Sequence, residues 1–163
     1  MFSVRRFLAA LSATGPGERS RDPFALAVRR LERGDLLGAR GAFDALLEAA
    51  QTDEERVRIL NKRGVACVGL GARDEALRDF TKALELLPRY APALANVGNL
   101  LLEDGAIDDA VVHYEAAIRS DERYAVAHLN LAVAYRKAGR RADSVRELRI
   151  AHRLEGRGLL RRT

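Results

Sequence analysis

The chain is poor in the residues that do covalent or metal chemistry. It has one cysteine and three histidines, and no apolar run approaches the roughly 20 residues of a membrane-spanning helix. A lone Cys67 cannot form an internal disulfide, so nothing calls for an oxidising compartment. Without a close pair of histidines beside it, a structural zinc site lacks its ligands. Val, Ile and Thr are outnumbered by Ala, Leu, Arg and Glu, which leaves almost no material for strands and favours helix throughout. The glycines fall at turns and packing positions rather than in a phosphate-cradling loop. The expected fold class is all-α, with no catalytic residues, no metal and no cofactor.

At 163 residues the chain is long enough to bury a real core as one ordinary domain. Its net charge of +5 conceals a division. Residues 1–21 carry +3 and residues 136–163 carry +7, while residues 22–135 carry −5. A basic chain suggests nucleic acid or a membrane surface as partner. Here the basicity sits at the ends and the centre is mildly acidic, which puts nucleic acid third among the readings. Arg outnumbers Lys 25 to 3, a ratio that coding bias alone can produce.

What the chain does have is a period. Gly71, Gly105 and Gly139 stand 34 residues apart. Ala76, Ala110 and Ser144 follow each glycine by five residues, Phe80, Tyr114 and Leu148 by nine, and Ala83, Ala117 and Ala151 by twelve. A strict period of this length marks an array of stacked units. Within one unit, Leu60, Gly64, Cys67 and Leu70 share one helical face, and Gly71 supplies the φ > 0 residue that ends the helix. A second helix from about Arg73 carries Ala76, Phe80, Ala83 and Leu84, and Pro88 closes it. Gly64, Gly98 and Ala132 are small where two helices must approach, and Phe80, Tyr114 and Leu148 fill the space left. Each hairpin buries one side only, so the units need one another.

These residues resemble the tetratricopeptide repeat. Its motif appears as Leu60, Arg63-Gly64, Cys67, Gly71, Ala76, Phe80, Ala83 and Pro88. The next unit has Leu94, Val97-Gly98, Leu101, Gly105, Ala110, Tyr114 and Ala117, with Glu122 in place of the proline. A third has His128, Leu131-Ala132, Tyr135, Gly139, Ser144, Leu148 and Ala151. An earlier degenerate copy uses Leu26, Ala27, Gly34, Ala39, Phe43 and Leu46, with Gly34 37 residues before Gly71. The three extra residues fall near 51–55, where Thr52 and Glu55 form a capping-box pattern, so the insertion is expected to lengthen a linker. The resemblance implies a right-handed superhelical solenoid of about four antiparallel hairpins, with units at 23–56, 57–90, 91–124 and 125–155. Residues 1–22 are then an N-terminal amphipathic segment and linker, and residues 156–163 a basic tail.

The resemblance also implies that the first helices line a concave groove for a protein or peptide partner. The expected groove residues are Arg58, Asn61, Lys62 and Val65, then Asn96, Asn99 and Leu102, then Asn130, Val133, Arg136 and Lys137. Lys62, Asn96 and Asn130 repeat at 34 residues, and an amide can both donate to and accept from an extended peptide backbone. The competing reading is a solvated helix face. A chaperone-type carboxylate clamp is incomplete, because Asn99 and Asn130 match but Ala95 stands where its first lysine belongs. His128 takes a core position and reads as packed rather than catalytic. Asp108 and Asp109 favour a helix start through the macrodipole.

Val4, Phe7, Leu8 and Leu11 make an apolar stripe beside Arg5 and Arg6, ended by Gly15-Pro16-Gly17. Residues 1–12 therefore compete between a cap on the first repeat, weak membrane-surface contact, a targeting segment and self-association through the groove of a neighbouring chain. The expected location is the cytoplasm, with the targeting segment as its rival.

Overall fold

A computed structural model describes residues 22–160. The expectations for residues 1–21 and for the last three residues lie outside this range. Among the described residues there are eight α-helices and no strand: α1 Pro23–Glu32, α2 Leu36–Ala49, α3 Asp53–Gly69, α4 Arg73–Leu86, α5 Ala91–Glu103, α6 Ile107–Ser120, α7 Ala125–Lys137 and α8 Arg141–Leu160. They form four hairpins, α1–α2, α3–α4, α5–α6 and α7–α8. The chain divides into two compact units between Pro88 and Arg89 rather than forming the single domain its length suggests. In a repeat array each hairpin packs on its neighbours in sequence, so no single core need gather the whole chain.

Local chemistry explains the helix ends. Asp22 accepts from the Phe24 N–H at 3.0 Å ahead of Pro23, and Asp35 accepts from the Gly38 N–H at 3.0 Å. Gly34, Gly71, Gly105 and Gly139 all have φ between 76° and 82°, the left-handed geometry that turns the first helix of each hairpin into the second. The capping box at α3 is present: the Glu55 N–H donates to Thr52 Oγ1 at 3.2 Å, and Glu55 Oε2 accepts from the Thr52 N–H at 3.3 Å. It corrects the expected linker. α3 has 17 residues where α5 and α7 have 13, so the insertion is helical. The box and the acids Asp53, Glu54 and Glu55 satisfy the orphan N–H groups and the dipole one turn early.

The repeat frame is also the packing frame. Ala76, Phe80, Ala83, Ala110, Tyr114 and Ala117 are completely buried. A Cβ added at Gly64 would lie 2.5 Å from the Phe80 ring, and one at Gly98 would lie 2.7 Å from the Tyr114 ring. These glycines are therefore what lets the large knob of the second helix seat against the first. In the first hairpin Phe43 is buried but Leu26 is 47% exposed, because α1 has no preceding hairpin among the described residues to cover that side. The second unit has its own apolar cluster around Tyr114, Leu131 and Tyr135.

Candidate functional site

In the first unit, α3 packs against α1, α2 and α4, so only a narrow strip of it meets solvent. Arg58 lies on that strip, its guanidinium 4.5 Å from the centre of the Phe24 ring, a cation–π arrangement. Lys62 is half-buried, and its burial holds the ammonium pKa below the usual lysine value, opposed by the carboxylate of Glu32. Asn61 and Val65 are buried, at 4% and 6% exposure, and are not part of an accessible groove wall. The face pattern of a single helix does not count its neighbours, and α3 has three.

In the second unit the amides meet in a register that the 34-residue ladder does not contain. The Asn130 Nδ2–H group on α7 donates to Asn99 Oδ1 on α5 at 2.9 Å. The same oxygen accepts from the Tyr114 hydroxyl on α6 at 2.8 Å. One acceptor thus ties three helices, and Tyr114 becomes a knob with a polar tip. Burial raises the Tyr114 hydroxyl pKa above the usual tyrosine value. Asn99 keeps its amide donors, and Asn130 keeps its carbonyl oxygen and second N–H, on a half-buried face. Asn96 and Val133 are half-buried on the same two helices, and Val133 packs on the apolar cluster. Arg136 and Lys137 are exposed at the end of α7. Leu102 is 7% exposed within the cluster, so it too is withdrawn from the expected surface.

Two polar links escaped the sequence reading. Arg63 occupies an apolar frame position, yet it is clasped by Asp79, with Nε to Oδ2 at 2.8 Å and an Nη to Oδ1 at 2.6 Å. Its other Nη reaches Asp44 at 2.7 Å. The Asp79 hydrogen bonds raise its already high pKa further, against the cost of burial. His128 is buried as its frame position predicts, and both ring nitrogens are engaged. Nδ1 lies 2.8 Å from Glu147 Oε2 and Nε2 lies 3.2 Å from the Glu122 carbonyl oxygen. Glu147 therefore faces inward to His128 as well as toward Arg146 on its own helix. The signal in the sequence was a polar residue breaking an apolar column, Arg63 beside Val97 and Leu131, and His128 beside Leu60 and Leu94. Cys67 is buried, and burial raises its thiol pKa, which makes it a packing residue. Among the described residues no group of three or more His, Cys, Asp or Glu is placed to hold a metal ion, and no helix is long and apolar enough to cross a membrane.

Paired helices with small residues at their crossings and a positive-φ glycine at each hairpin turn define an α-helical repeat scaffold. Within it, residues 98–139 match the family model described as TPR repeat, a stretch that holds Gly98, Asn99, Tyr114, Asn130 and Gly139. Solved structures carry the same fold. MamA 41-end from Desulfovibrio magneticus RS-1 matches with a TM-score of 0.62 and 22% identity, over 87% of this chain and 78% of that one. YrrB, described as a TPR protein with an unusual peptide-binding site, matches with a TM-score of 0.60 and 20% identity, over 94% of this chain and 78% of that one. Another MamA structure matches with a TM-score of 0.53 and 20% identity, over 80% of this chain and 95% of that one. At such identities the likeness is one of fold.

Proposed function

We infer that the protein is a non-enzymatic protein–protein interaction scaffold that holds an extended peptide segment along first helices of its repeats. The observation that carries this reading is the Asn99–Asn130 contact in the second unit. It orients two amides and leaves donors on one and an acceptor on the other, the alternation that a peptide backbone needs. Asn96 and Val133 extend the same face, with Val133 suited to an apolar side chain of the partner. Arg136 and Lys137 would steer acidic flanking residues. In the first unit, Arg58 and Lys62 make a separate polar strip on α3. A peptide-binding site in YrrB, a protein of the same fold, agrees with this reading.

The test begins with capture of partners by the full chain and identification by mass spectrometry, followed by calorimetry on the shortest binding peptide. Asn96→Ala with Asn130→Ala leaves the Tyr114–Asn99 bond in place and is expected to weaken binding roughly tenfold at unchanged helicity. Unchanged affinity would mean that the amides are only a solvated face. A second reading rests on the Val4, Phe7, Leu8 and Leu11 stripe beside Arg5 and Arg6, which suits a membrane-surface helix that recruits cargo through the array. Liposome co-sedimentation of the full chain against a chain starting at Asp22 separates the two, since equal partition removes the membrane reading.

A further inference from the structure

The first unit contains a hollow that its repeat frame does not require. Between α2, α3 and α4 lies a cleft of about 290 Å³ walled by charged side chains. Its floor is Arg63, held by Asp79 and Asp44. One wall is the Arg40–Glu75 ion pair at 3.3 Å. The remaining two lining residues, Arg78 and Lys82, are exposed on α4 and have no hydrogen-bonding or ionic partner among the described residues. Every carboxylate of the cleft is answered from within, two by Arg63 and one by Arg40. Two cations are left over, four residues apart and hence neighbours on one helix face.

The polar floor is not explained by stability. A half-buried ion-pair node contributes little over an apolar filling of the same volume, because desolvation offsets the attraction. The frame positions that match Arg63 hold Val97 and Leu131, so the other hairpins fill this place with apolar side chains. Arg63 keeps the hollow charged, with its floor fixed by three short hydrogen bonds.

We propose that this cleft receives an acidic segment of a partner protein, with a Glu or Asp carboxylate seated between Arg78 and Lys82. Arg78 offers a fork of donors and Lys82 a point charge, which together neutralise one carboxylate. Asp44 and Glu75, with side chains 46% and 42% exposed, stand at the same cleft. They accept backbone N–H groups of a peptide and repel the dense charge of a nucleic-acid backbone, and this favours a protein ligand. The site lies wholly in the first unit and does not depend on the amide face of the second.

Fluorescence anisotropy of the full chain with a fluorescein-labelled hexaglutamate peptide, at about 0.15 M salt, tests the assignment. Saturable binding is expected, about tenfold weaker in Arg78→Ala with Lys82→Ala. Arg149→Ala with Arg153→Ala, which removes exposed basic charge on α8, is expected to change it by less than about twofold. Both double variants alter exposed residues, so circular dichroism should be unchanged. An equal loss in the two variants would reduce the effect to general charge attraction and overturn the proposal. So would the absence of saturation at this salt concentration, or displacement of the peptide by a single-stranded oligonucleotide at equal concentration. Because the variants of the amide face lie in the other unit, failure of either assignment leaves the other standing.

Discussion

The second and fourth hairpins share one backbone plan and stabilise it with different polar links. In the second, the first helix carries Leu60 and Arg63, and Arg63 crosses to Asp79 on the second helix. In the fourth, the same two columns hold His128 and Leu131, and His128 crosses to Glu147. Asp79 and Glu147 are themselves 68 residues apart, two full periods, so the acid stays in place while its basic partner moves by three residues along the first helix. The repeat therefore specifies where an inward acid fits, and each unit chooses the column from which to answer it. The choice has a consequence for the surface. Arg63 lines a charged cleft in the first unit, whereas His128 is almost wholly buried within its hairpin.

That contrast can be broken from either side. The largest effect is expected from Arg63→Leu, which copies the fourth hairpin's apolar residue into the second. Asp79, with a side chain only 5% exposed, then loses its cation, at a cost of about 3 kcal/mol in urea unfolding. Arg63→Leu combined with Asp79→Leu should recover most of that loss, and failure to recover would mean that Arg63 holds more than its carboxylates. A smaller effect is expected where the Phe80 and Tyr114 knobs differ. Tyr114→Phe removes the hydroxyl bond to Asn99 and should cost about 1 kcal/mol, whereas the second hairpin already has phenylalanine there.

The smallest effect concerns pH. Hydrogen bonds from Arg140 and then Arg146 hold the Asp143 carboxyl below the usual aspartate pKa. A folded-state value below the unfolded one gives stability that is complete above the unfolded pKa of about 4 and disappears as the pH falls through the folded value. Asp143→Asn should therefore shallow the acid limb of a stability profile measured between pH 2 and 5, and leave the shape above pH 5 unchanged. An unaltered acid limb would assign the pH dependence to other carboxylates, with Glu55, whose pKa is lowered by the backbone N–H groups of Gln51 and Thr52, as the next to test.

Much of the fold was legible in the sequence, and the reason is geometric. A glycine at φ near +80° is required once per hairpin, and Gly71, Gly105 and Gly139 announce it at fixed spacing, with Gly34 as the displaced copy. Small residues opposite large ones, Gly64 with Phe80 and Gly98 with Tyr114, announce the helix crossings. The insertion lengthens α3 rather than the linker before it, which a capping box does not reveal, because it marks a helix start without saying how much helix follows. The accessible surface was legible only in part. Arg58, Lys62, Asn96, Asn99, Asn130, Val133, Arg136 and Lys137 keep some exposure, while Asn61, Val65 and Leu102 are buried by helices that the face pattern of a single element does not count.

By itself, then, the sequence determined an all-helical chain of four hairpins, where each turns and which side chains fill its crossings. Those features follow from backbone conformation and local packing, which repeat with the period. Only the tertiary structure decided which polar residues find each other. Arg63 and Asp79 are 16 residues apart, His128 and Glu147 19, and Asn99 and Asn130 31. None of these separations is a multiple of the repeat. Each pair meets across helices through the angle at which they cross, and a periodic pattern along one chain carries no record of that angle.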